Sequence, residues 1–107
     1  MGNVESLNML GVLYFFGHHF KQDYSKSFEL FQKSSELGCA SSYNNMGYFY
    51  EIGLVVNQDL FKAIKYYKKS FDMNNTDGLY SLAKLYFYGK GVKQDYSKAI
   101  ELYQEAA

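Results

Sequence analysis

An all-α fold, an α/α solenoid of three antiparallel helix pairs, is what this 107-residue sequence predicts, and three observations carry the prediction. The chain repeats: KQDYSK at Lys21–Lys26 returns as Lys93–Lys98, and NQDLFK at Asn57–Lys62 stands halfway, so the period is 36 residues and three copies follow without a gap. Apolar residues within each copy recur at spacings of three and four, the signature of a helix face. Proline, which breaks helix interiors, is absent throughout. The copies run from about 2–37, 38–73 and 74–107 and form a single domain, expected to be part of a longer repeat array.

The first helix of each copy carries Leu7, Leu10, Gly11 and Tyr14, then Tyr43, Met46, Gly47 and Tyr50, then Leu79, Leu82, Ala83 and Tyr86. Each set falls at i, i+3, i+4 and i+7 and is expected to face the core. Gly17, Gly53 and Gly89 come directly after, where glycine ends a helix in the left-handed region. Asp23, Asp59 and Asp95 then stand where the second helix must begin, and Asp is a good N-cap. The second helix runs from about Tyr24 to Glu36 in the first copy, with Tyr24, Ser27, Phe28, Phe31 and Ser34 as its inner stripe. The later copies give Leu60, Ala63, Ile64, Tyr67 and Ser70, then Tyr96, Ala99, Ile100, Tyr103 and Ala106. Small residues at 27, 63 and 99 let helices approach closely, while Lys26, Lys62 and Lys98 belong to the solvated side.

Composition excludes several function classes. Eleven lysines balance eleven acidic residues, and arginine is absent, so there is no basic footprint for nucleic acid. No apolar run reaches the roughly 20 residues of a membrane span, and MGNVES does not begin like a secretory leader. Cytoplasmic localisation is the default reading. One cysteine makes no intramolecular disulfide. Cys39 has no basic neighbour in sequence and reads as an inert thiol. His18-His19 lacks a companion ligand set and reads as a polar loop, so no metal and no cofactor is expected. Gly2 and Ser6 fit a myristoylation pattern, yet both are already explained by the repeat, as the partners of Gly38 and Ser42. Asn74-Asn75-Thr76 is a glycosylation sequon, relevant only in a secretory compartment.

The recurring columns, a Leu-Gly step, a Tyr, Gly-x-Gly-Val, Gln-Asp-Tyr and Lys-Ala before paired aromatics, are nearly complete in YFYGKGVKQDYSKAIELYQEAA at Tyr86–Ala107. The chain resembles the Sel-one-like repeat family, whose 36-residue helix pairs are related to tetratricopeptide repeats. That resemblance implies a right-handed superhelix and an adaptor or scaffold role. Two loops depart from it: Gly17-His18-His19-Phe20 replaces Gly-x-Gly-Val, and Leu54-Val55-Val56 lacks the second glycine, so a different loop conformation is expected in the first copy. Cys39 alone does not reproduce the cysteines of the family's disulfide-rich branch.

If the first helices turn the stripe above to the core, their other side lines a concave face. It comprises Asn8, Val12 and Phe15, then Asn44, Tyr48 and Glu51, then Tyr80, Lys84 and Phe87. These positions vary among copies, and the resemblance aligns them with the ligand-facing positions of tetratricopeptide repeats. The expected function is a protein–protein interaction scaffold that takes a peptide or protein segment on this face. The alternative is a structural spacer or oligomerisation segment of a longer solenoid, self-associating through uncapped ends such as the face of Tyr96, Ile100 and Tyr103. An enzyme is disfavoured, because the recurrent Asp column is spent on capping and no other acidic column exists. Of the 21 aromatic residues, twelve are assigned to the core, Tyr24 and Tyr96 among them.

Overall fold

The structure, a computed structural model, describes residues 3–107; Gly2, the glycine of the lipidation pattern, lies outside the described residues. Six helices follow one another: α1 (Asn3–Phe16), α2 (Tyr24–Glu36), α3 (Ala40–Ile52), α4 (Leu60–Asp72), α5 (Thr76–Tyr88) and α6 (Tyr96–Ala106). No strand occurs among the described residues. None of these helices is long and apolar enough to cross a membrane.

Each pair is antiparallel, and serines mark the register of the first two. Ser27 Oγ donates to the Gly11 carbonyl at 2.7 Å and Ser34 Oγ to the Val4 carbonyl at 2.8 Å. Seven residues forward on α2 thus correspond to seven backward on α1. Ser70 Oγ repeats the second bond to the Ala40 carbonyl at 2.9 Å. The cost of taking these hydroxyls out of water is offset, because each donates to a backbone acceptor. The glycine column has an equally physical reason. A Cβ on Gly47 would lie 2.5 Å from the Tyr67 ring, and one on Gly11 would lie 2.6 Å from Phe31. Those positions are the seats of the second-helix aromatics.

The loops are built by the Gln-Asp dipeptide. Gln22, Gln58 and Gln94 donate through Nε2 to the carbonyls of Phe15, Glu51 and Phe87, at 2.9, 2.9 and 3.0 Å. The amides of Asp23, Asp59 and Asp95 bond the carbonyls of Tyr14, Tyr50 and Tyr86. Four last-turn carbonyls of any helix need such partners. Each Asp then caps the next helix, accepting from the backbone N–H of Lys26, Lys62 or Lys98 at 3.0 Å.

The expectation of a different first loop is corrected by the backbone. Gly17, Gly53 and Gly89 have φ of 78°, 75° and 69°, and the third loop residue is left-handed in all three copies: His19 at 66°, Val55 at 67° and Gly91 at 71°. The Gln and Asp bonds hold one loop shape whether or not glycine is present.

Successive helices pack in chain order, and α3 also touches α5. One core cluster joins Phe31, Met46 and Phe49; the other joins Ala63, Ile64, Tyr67, Leu79, Leu82, Ala83, Leu85 and Leu102. Two apolar columns outside the expected stripes contribute: Phe49 and Leu85 on the first helices, and Leu30, Tyr66 and Leu102 on the second. Four expected core positions, Leu10, Tyr24, Tyr96 and Ile100, are exposed instead. Leu10 is 36% exposed where Met46 is 1%, because Met46 packs in one cluster with Phe31 of the preceding pair, and among the described residues no helix pair lies before α1. Tyr24 and Tyr96 are exposed because they open the second helix at its rim. Their rings sit edge-on to Phe15 and Phe87, and their hydroxyls accept from Gln22 and Gln94.

Candidate functional site

The nine residues expected on the first-helix face divide into two groups. Asn8, Asn44 and Glu51 are engaged inside the molecule. Asn8 is buried, and its Oδ1 accepts from Ser42 Oγ at 2.8 Å and from Asn45 Nδ2 at 3.1 Å. Asn44 Oδ1 accepts from Ser81 Oγ at 2.9 Å. These bonds link α1 to α3 and α3 to α5, so the first helices stand side by side, joined by a polar ladder. Its rungs recur one period apart, Asn8 to Asn45 and Asn44 to Ser81.

Glu51, on α3, joins α4 and the loop that follows α5. Tyr67 Oη donates to its Oε1 at 2.6 Å, and Lys90 Nζ lies 3.5 Å from its Oε2. The pKa of Tyr67 is pushed well above the ordinary tyrosine value by burial first, and then by this hydrogen bond to a carboxylate. The phenol therefore remains a donor at any physiological pH.

Val12, Phe15, Tyr48, Tyr80, Lys84 and Phe87 form the second group. Val12, Phe15 and Lys84 are half-buried; Tyr48, Tyr80 and Phe87 are exposed. Lys84 Nζ lies 5.6 Å from the centre of the Tyr80 ring. Phe15 meets Tyr48 and Phe49 edge-on, with ring centres 6.0 and 5.8 Å apart. Between α1 and α3 these rings surround a cavity of about 260 Å³, lined by Val12, Phe15, Phe16, Phe31, Asn45, Tyr48 and Phe49. Three of its residues were expected at the site. Phe16, Phe31, Asn45 and Phe49 were not, although the aromatic run Phe15-Phe16 against Tyr48-Phe49 was the available signal. The cavity suits an apolar side chain, with the Asn45 amide as its polar group.

Other candidate chemistry stays dispersed. Among the described residues no three His, Cys, Asp or Glu side chains gather closely enough to hold a metal ion. His18 and His19 are exposed in the first loop. Cys39 is buried just before α3, with its Sγ 3.7 Å from Glu5 Oε2.

Comparison with known proteins bears on the whole chain. The Sel1 repeat model matches residues 4–39, 40–75 and 76–107. A Sel1 repeat protein from Oxalobacter formigenes is 30% identical, with a TM-score of 0.88, over 98% of this chain and 43% of its own. The c5321 protective antigen of uropathogenic Escherichia coli, which has an SLR fold, is 36% identical with a TM-score of 0.87, over 96% of this chain and 22% of its own. Helicobacter pylori cysteine rich protein B is 28% identical with a TM-score of 0.73, over 96% of this chain and 79% of its own. The chain thus spans less than half the length of the first two. No curated protein matches the sequence.

Proposed function

Since the chain belongs to the Sel1 repeat family, a non-catalytic repeat scaffold whose members generally mediate protein–protein interaction, we propose that its first-helix face is a concave groove for a peptide or protein segment. The observation that carries this reading is the aromatic cavity between α1 and α3. Water-exposed rings packed around a hollow leave apolar surface that a partner's side chain can cover. Tyr48, Tyr80 and Phe87 offer rigid contact area along the same face, and Lys84 adds a charge. Asn8, Asn44 and Glu51 act here as braces that hold the first helices at fixed spacing, so their part is to position the groove.

The test uses peptides selected from a random library against the full chain. Tyr48→Ala, with an unchanged melting curve, and Val12→Lys should each weaken their binding by about tenfold, roughly 1.4 kcal/mol. Affinities that survive both substitutions would remove the groove from this face.

A second reading is favoured by the outer residues. Tyr96 and Ile100 are each 56% exposed, while Ile64, one period before Ile100, is 9% exposed. The face of α6 thus shows solvent a column that α4 buries, which suits stacking on a further helix pair or on a second copy.

A further inference from the structure

The middle repeat differs from its neighbours at one place on its second helix, and the differences converge. In α2, Lys26 pairs with Glu29 three residues on, at 3.3 Å; in α6, Lys98 pairs with Glu101 at 3.5 Å. In α4 the corresponding lysine is Lys62, and the partner position holds Lys65. The next position is Leu30 in α2 and Leu102 in α6, but Tyr66 in α4. On the first helices Leu7 and Leu79 flank Tyr43. Lys62, Lys65, Tyr66 and Tyr43, together with Lys69, line one cavity of about 320 Å³. The two outer copies serve as internal controls: they carry glutamate at the position of Lys65 and leucine at those of Tyr66 and Tyr43, while the Lys69 position is Lys33 in the first copy and Glu105 in the third.

The charge of α4 itself is one-sided, with Glu36 of α2 the acidic group near Tyr66. Four lysines and one acidic residue, Asp72, make up the charge of α4. Among the described residues none of Lys62, Lys65 and Lys69 takes part in an ion pair. Two of them rest on rings instead, Lys62 Nζ at 5.0 Å from the centre of Tyr50 and Lys69 Nζ at 5.9 Å from that of Tyr43. Tyr50 and Tyr66 are stacked with ring centres 5.5 Å apart, which stiffens the wall. Like charges at helical spacings of three and four repel. An anion in the cavity relieves that repulsion. The pKa of Tyr66 is raised by burial and then by Tyr50, Tyr43 and Glu36, so its phenol stays a hydrogen-bond donor.

We propose that this cavity is a second binding site, taking an acidic peptide segment whose carboxylates meet Lys62, Lys65 and Lys69 between the tyrosine rings. The spacing favours separated carboxylates over one phosphate group. Lys62 to Lys69 spans about 10 Å of helix, the reach of about three extended residues. Lysine is a point charge without the fork that grips a phosphate bidentately, and arginine is absent from the chain. The tyrosines supply rings and hydroxyls for the segment's backbone and apolar side chains.

The experiment is fluorescence anisotropy of labelled octaglutamate with the full chain. Lys65→Glu restores the outer copies' ion-pair pattern, so it should leave the melting curve in place while weakening octaglutamate by about tenfold. Lys93→Glu, outside the cavity, should change affinity by less than about twofold. Tyr66→Leu, the outer copies' residue, should weaken binding without altering net charge, and it decides the matter if Lys65→Glu does not fold. Tyr48→Ala on the first-helix face should leave octaglutamate binding intact, which separates this site from the proposed groove. Undetectable octaglutamate binding, an equal loss with Lys93→Glu, full affinity in Tyr66→Leu, or tighter binding of labelled oligouridylate or inorganic phosphate would each overturn the proposal.

Discussion

Val55 holds a β-branched side chain at φ 67°, a conformation costing an L-residue about 1–2 kcal/mol. The same loop position is His19 in the first copy and Gly91 in the third. Its neighbours impose the angle: Gln58 Nε2 on the Glu51 carbonyl and the Asp59 amide on the Tyr50 carbonyl close the loop from both sides. Val55→Gly should therefore raise stability by about 1 kcal/mol, less the entropy glycine adds to the unfolded chain. A melting temperature several degrees higher is the expected reading; no gain would mean the loop relaxes around valine. The sequence showed the Gln and Asp columns clearly but not what they bond to. Reading the missing glycines as a change of loop shape followed from treating local preference as the cause, when long-reaching hydrogen bonds set the angle.

Helix pairs are locked by a small residue facing a large one. Gly47 against Tyr67 lets α3 and α4 approach until Tyr67 reaches Glu51 across the pair. This bond has a pH signature. Folding raises the Tyr67 pKa above its unfolded value of 10, so the stability it contributes is intact below pH 10. Above that, the unfolded chain releases a proton that the folded chain keeps, and stability falls as pH rises, by about 1.4 kcal/mol per pH unit for each such group. Tyr67→Phe should flatten that decline in urea melts between roughly pH 9 and 11, with a residual slope from Tyr66 and Tyr103, whose pKa values are also raised. An unchanged slope would place the alkaline sensitivity elsewhere. Helix limits were legible here: Asp caps and left-handed glycines bound the elements where the columns placed them. The partner of Tyr67 was not, because Glu51 looked like a groove charge from its helical position alone.

At the scale of the molecule, the three pairs are equivalent in sequence and unequal in surroundings. The structure measures 41 × 29 × 22 Å, and among the described residues the middle pair has a neighbouring pair on both sides. The column that is 1% exposed at Met46 is 36% exposed at Leu10, and Ile100 is far more exposed than Ile64. If the α6 face drives self-association, the sedimentation coefficient should rise with concentration for the unaltered chain and stay constant for Ile100→Lys. Concentration-independent sedimentation of both would leave that face without a role in self-association.

The 36-residue period settled the helix count, the pairing and the family, because a repeat that tolerates no gap must pack every copy in the same way. Neither the ladder of Asn8, Asn45, Asn44 and Ser81 nor the cluster of Lys62, Lys65 and Lys69 with Tyr43 and Tyr66 was settled by it. Periodicity reports which face of its own helix a residue occupies. Which neighbouring helix lies against that face, and at what distance, depends on how pair packs on pair. For that reason Asn8 and Glu51, read as candidate ligand contacts, are hydrogen-bonded inside the molecule, while lysines that read as solvated, and are exposed, also line an open pocket with Tyr43 and Tyr66.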